Sequence, residues 1–239
     1  MSGFATLFRV KLKIRFREWL MVVLLLAFPL LMVGINGALS PDDIASGMET
    51  FLPGGVVIVI VIAGIMFQSF TIASDKGKGV LRRVGTVPTP RATYLIVESF
   101  VTLALIALVL AVLFAVVLPL GVEIRGSPLS FVAVILLGAL TLMAIGSLIA
   151  GFLSDWETAL MVSSVFMLLF FFPAFIPPEA FSSDVQSILK FIPSVSLANI
   201  LRDLISDSGT LVSNLDHLGI ITIWLVVCWI ITALTFRWE

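Results

Sequence analysis

The chain has 239 residues, 60% of them hydrophobic and 12% charged, with a mean hydropathy of +1.19 and a formal net charge of −1. Those values exclude a water-soluble domain, in which most helices would show a polar face. The single cysteine, Cys228, and single histidine, His217, exclude a disulfide framework and a His/Cys zinc site built by this chain alone.

Basic residues come first. Arg9, Lys11, Lys13, Arg15 and Arg17 are interleaved with apolar residues over 4–19. Phe4, Leu7, Phe8, Leu12 and Arg15 follow a three/four spacing that Phe16 and Trp19 extend, with Lys11 and Lys13 projecting elsewhere. The spacing favours a helix lying in the membrane plane, its cations against anionic headgroups, over a frayed tail of topology-fixing charges. The apolar run that follows is too long for a signal-peptide core and ends in no clear small-x-small cleavage site.

A bilayer core about 30 Å thick needs roughly 20 apolar residues of helix. Six stretches supply them. The first is 20–39, with Pro29 as a kink, and the second is 54–73, which Pro53 opens at the first helical turn. The others are 92–120, 128–153 (again opened by a proline), 158–176 and 218–236. Orientation follows from Lys and Arg. The arm, the 74–91 loop (Lys76, Lys78, Arg82, Arg83, Arg91) and Arg237 place eleven of the fourteen basic residues on one side of a six-span topology. Only Arg125, Lys190 and Arg202 fall on the other, so both termini are expected in the cytoplasm of a multi-pass cell-membrane protein. Trp19, Tyr94, Trp156 and Trp238 fall at the inner boundary, as an interfacial aromatic belt would.

Two segments are not spans. In the 74–91 loop, Asp75 can cap a short helix with Val80, Leu81 and Val84 on its apolar face, stopped by Pro88 and Pro90. Composition fits a force-transmitting helix and an ordinary basic loop about equally. The outer region 177–217 is too apolar for a solvated loop. Two short helices, 181–191 and 196–205, fit it as re-entrant elements dipping into the outer leaflet, with a small globular cap as the alternative.

Within the predicted spans the candidate polar groups are few. Glu98 lies about two turns into span three, where it can snorkel or bond an inner-leaflet partner, and Gln68, Ser69 and Thr71 are neutral. Nothing resembles a proton relay, which weighs against an ion-coupled secondary transporter. A membrane-embedded scaffold with no ATPase partner is the other alternative. No catalytic constellation occurs: Asp216 is the nearest acid to His217, which reads as a solvated boundary histidine. Gly146/Ala150 and Ser147/Gly151 are small-xxx-small pairs that let another helix of the same subunit approach closely.

In this order around six spans, these segments resemble the permeases of the type-2 ABC exporter family, nearest its drug-resistance branch. That family's loop after span two reads approximately acidic-basic-Glu-x-Gly-Thr-Leu-x-x-Leu-x-x-x-Pro. Asp75, Lys76, Gly79, Leu81, Val84 and Pro88 match it in register, with Arg82 and Arg83 as in the drug-resistance branch, while Gly77 replaces Glu and Val80 replaces Thr. A second signature, a Phe-Pro after span five followed by further prolines and an arginine, is echoed by Phe172, Pro173, Pro178, Pro193 and Arg202, without the usual preceding glycine. The resemblance implies an all-α half-transporter pairing with a second permease copy or paralogue and with nucleotide-binding ATPase subunits. It also implies a coupling helix near Asp75–Val84 seated in the ATPase, surrounding membrane lipids, and no nucleic-acid partner. The chain carries no Gly-x4-Gly-Lys-Ser/Thr, so ATP and Mg belong to the partner ATPase and no cofactor or metal is expected here. Cargo stays open among amphiphilic drugs, lipids and lipid-linked glycans.

Overall fold

The computed structural model describes residues 3–17, 19–39, 44–80, 92–122, 124–153, 155–176, 178–205 and 210–235. No strand occurs among them. The helices are α1 (Gly3–Arg17), α2 (Trp19–Leu39), α3 (Ile44–Gly77), α4 (Ala92–Val117), α5 (Pro128–Phe152), α6 (Trp156–Phe175), α7 (Ser183–Leu189), α8 (Pro193–Ile205) and α9 (Leu215–Thr235). Five of them, α3, α4 (extended to Leu120), α5, α6 and α9, are long and apolar enough to cross a membrane. In α2, which carries Pro29 inside it, the apolar stretch is the shorter Val22–Ile35.

The central element is α3, and it departs from the sequence reading. Pro53 does not open it: the helix begins at Ile44, so Pro53 lies inside. Met48, Phe51 and Leu52 are buried in the bundle, and that packing outweighs the cost of an internal proline. The result is a continuous 34-residue helix, about 51 Å long at 1.5 Å per residue, which exceeds the hydrocarbon core. Its surplus carries Asp75 and Lys76 beyond the apolar zone.

A π-helical turn, Ile62–Phe67, interrupts α3 where α5 crosses it. A Cβ on Gly146 would overlap the carbonyl oxygen of Gly64 and crowd that of Ile65. Only glycine lets the two backbones touch there. At the same crossing, Gln68 of α3 accepts from Thr102 Oγ1 (2.5 Å) and donates to Ser99 (3.4 Å) and Ser147 (3.3 Å). This neutral network joins α3, α4 and α5.

Of the two outer helices, none of the buried residues belongs to α7, whereas α8 buries Val195, Leu197, Ile200, Leu201 and Leu204 against α3, α5, α6 and α9. Its 13 residues are too few to cross a bilayer. On α6 and α9, by contrast, Met161, Ile223 and Leu234 are largely exposed apolar residues, as a lipid-facing surface requires.

Candidate functional site

The end of α3 is held on two sides. The helix stops because Gly79 adopts φ +68°, a left-handed conformation that glycine takes without steric cost. The Lys78 N–H then reaches the Ser74 carbonyl at 3.0 Å and the Gly79 N–H reaches that of Lys76 at 3.0 Å. Asp75 therefore does not cap a separate short helix, as the sequence reading has it. It occupies the last turn of α3, where the helix dipole disfavours an anion, so it needs a cation.

That cation comes from α1. Lys11 Nζ pairs with Asp75 Oδ2, lies 3.0 Å from Glu98 Oε2 as an ion pair without hydrogen-bond alignment, and sits 4.6 Å from the Tyr94 ring centroid. Tyr94 donates its hydroxyl to Asp75 at 2.6 Å. One turn along α1, Arg15 Nη2 donates to Glu98 Oε1 at 2.5 Å. Glu98 is fully buried and Arg15 is 5% exposed. Two cations and two carboxylates thus cancel inside a largely dry junction of α1, α3 and α4.

Two sequence expectations change here and one alternative is decided. Lys11 does not project away from the bundle, because two carboxylates satisfy it better than a headgroup surface would. Tyr94 is buried and hydrogen-bonded to Asp75 rather than standing in an interfacial belt. Of the two readings of Glu98, the structure shows the second: it bonds partners, Arg15 and Lys11, that α1 brings to it. Sequence reasoning did not pair Lys11 and Arg15 with these carboxylates. The available signal was that Glu98 is the lone carboxylate of the predicted spans, with Tyr94 at i−4 on the same helical face.

On its other side, Lys76 Nζ reaches the carbonyls of Ala150 (3.3 Å), Gly151 (3.0 Å) and Leu153 (3.2 Å). These are acceptors left over at the C-terminus of α5, where a cation is favoured. The turn into α6 is finished by Asp155, whose carboxylate accepts from the Thr158 N–H and hydroxyl, both at 2.8 Å. The Thr158 N–H is the main cause holding the Asp155 carboxyl below its ordinary value, with the Thr158 hydroxyl second.

Leu81, Arg82, Arg83, Val84 and Pro88 lie outside the described residues. Of the outer motif, Phe172 is exposed, Pro173 stands in the last turn of α6, Pro178 opens a 3-10 turn and Pro193 opens α8. Arg202 Nη2 donates to Ala174 O at 2.7 Å, capping α6, and Nη1 donates to Asn199 Oδ1 at 2.9 Å. His217 is half-buried against Ser196 (Nδ1 to Oγ 3.1 Å) instead of solvated. No cluster of three or more His, Cys, Asp or Glu side chains among the described residues could hold a metal.

The long apolar helices and the charge-paired junction at one end of the bundle define an integral, all-α membrane protein. The family model for ABC-2 family transporter protein matches residues 38–234, and the chain belongs to that family. It is an ABC-2 type permease, a membrane transport component of an ABC transporter, from a family without an ATPase domain of its own. No curated protein matches the chain. The matched region holds Asp75, Tyr94 and Glu98, while α1 with Lys11 and Arg15 precedes it.

Proposed function

We propose that this chain is half of the membrane domain of an ATP-driven exporter, working with a second permease copy or paralogue and two ATPase subunits. In this reading it lies in the plasma membrane with both termini cytoplasmic, and α2 supplies a sixth span. The 74–91 segment couples it to the ATPase, and α7 and α8 form the outer re-entrant region. Its cargo is an amphiphilic drug, lipid or glycoconjugate. The positive-inside distribution of Lys and Arg supports the orientation.

The observation that carries the proposal is the double tether at the root of the loop. Residues 75 and 76 bind α1 and α4 on one side and α5 on the other, so displacement of the loop by closing ATPases reaches four helices together. A freely hinged loop would dissipate the same displacement. The chain itself contributes no ATP chemistry in this scheme. ATP and Mg act on the partner, and Arg82 and Arg83 offer it a basic contact. Charge reversal at Arg82 and Arg83 should release the ATPase on purification, or leave it bound with hydrolysis uncoupled from export. Unaltered co-purification together with unaltered export would refute the coupling role of this loop.

A further inference from the structure

At the end of the bundle away from the ionic junction, a cavity of about 370 Å³ lies between the close of α6, α7, α8 and the start of α9. Its wall brings together Lys190, Arg202 and His217. These are two of the three basic residues that the charge distribution leaves on that side, plus the only histidine in the chain. Positive side chains are scarce in such loops, so their convergence on one cavity is informative. None of the described lining residues is acidic.

The cationic wall is pre-organised. The bonds of Arg202 to Ala174 O and Asn199 fix its guanidinium plane. Ser196 gives its one hydroxyl proton to Lys190 O at 2.6 Å, so toward His217 its oxygen can only accept. His217 Nδ1 therefore carries the proton, and Nε2 remains as the second polar atom of the ring. The Asp203 and Asp216 carboxylates act on His217 from α8 and α9 but are not part of the lining, and Lys190 opposes them. The rest of the wall is mixed: Ser187 and Asn199 add hydrogen-bonding groups, while Ile176 and Leu189 are apolar. Ile188 and Phe191, which flank Leu189 and Lys190, are 70% and 60% exposed and offer acyl chains a surface.

We infer that this cavity binds the phosphate headgroup of an anionic membrane lipid, with Lys190 facing the phosphate beside the protein-bound guanidinium of Arg202 and the apolar rim receiving the chains. The Lys190 ammonium suits phosphate oxygens, and the amphipathic wall distinguishes a lipid from a free anion. The inference concerns a resident lipid and is independent of the ATPase and of export.

The test uses the full-length protein in maltoside micelles, with binding of dihexanoyl phosphatidylglycerol followed by native mass spectrometry. Dihexanoyl phosphatidylcholine and inorganic phosphate serve as competitors. Lys190→Glu should weaken phosphatidylglycerol binding about tenfold or more, and Lys190→Arg should retain it. His217→Gln, a change of hydrogen-bonding shape with little loss of volume, should weaken it less. Phosphatidylcholine should compete poorly, and inorganic phosphate more poorly still. Unchanged affinity in both Lys190→Glu and His217→Gln would overturn the site. Competition by inorganic phosphate equal to that of the lipid itself would overturn the lipid assignment.

Discussion

Replacing Glu98 by Gln keeps the shape of the side chain and removes one charge from a junction whose charges cancel. Arg15 and Lys11 lose the carboxylate at 2.5 and 3.0 Å, leaving only Asp75 to offset two cations. With charge centres roughly 4 Å apart and an effective dielectric of about 20, each lost attraction is worth about 4 kcal/mol before desolvation. Stripping one partner from a buried pair typically costs about 3–5 kcal/mol net. The bundle need not bear that cost, because α1 can leave and return both cations to water. The perturbation should therefore be local: α1 undocks while α3, α5 and α8 stay packed.

Hydrogen–deuterium exchange on the protein in lipid nanodiscs separates these outcomes. Loss of about 3 kcal/mol from docking raises exchange of α1 amides on the order of 10²-fold while protection in α3 is kept. The double variant Glu98→Gln/Arg15→Gln removes a buried cation as well and should recover part of the protection, so the two changes are non-additive. Unchanged α1 protection in Glu98→Gln, or strict additivity in the double variant, would refute the idea that this pair docks α1.

Gly146→Val should cost at least about 1–3 kcal/mol, since the new side chain meets backbone carbonyl oxygens of α3 that have no rotamer to yield; the thermal midpoint of the purified protein reads it. Lys76→Met should cost about 1 kcal/mol through loss of the α5 cap, seen as faster exchange at the C-terminal turn of α5. For Asp155 the folded carboxyl is held below its ordinary value of 3.8. Its stabilising contribution is thus complete above that pH and fades as pH falls through the lowered value, and Asp155→Asn should flatten this part of the acid limb of a thermal-midpoint profile.

The five long apolar helices were legible because about 20 uninterrupted apolar residues admit few other readings, and α5 runs Pro128–Phe152 where hydropathy puts 128–153. The start of α3 was not legible. Pro53-Gly54-Gly55 is strong local punctuation, and only the burial of Met48 and Leu52 in a bundle that the sequence does not display overrides it. The ionic junction was hidden for another reason. Lys11 meets Asp75 across 64 positions and Arg15 meets Glu98 across 83, distances over which helical periodicity carries no information. Periodicity even misdirects for Lys11, since it assigns cations to the wet face, and it cannot say which residue bonds a lone intramembrane carboxylate.

Adjacent residues bonded in opposite directions decide between two ways a push from a motor could enter the membrane. If only Asp75 were tied, the last turn of α3 would move with α1 and α4 and slide past α5. If only Lys76 were tied, α3 and α5 would move as a pair and leave α1 behind. With both held, the ends of α3, α4 and α5 and the flank of α1 form one block, so rotation of the loop must be accommodated farther along the helices. The π-helical turn at Ile62–Phe67 lies on that route, between the junction and the densely packed first half of α3. A turn of looser hydrogen bonding is a weak place at which a helix can change direction. Local undocking of α1 in Glu98→Gln with α3–α5 packing intact would separate the two tethers experimentally, because the Lys76 side of the block does not depend on Glu98.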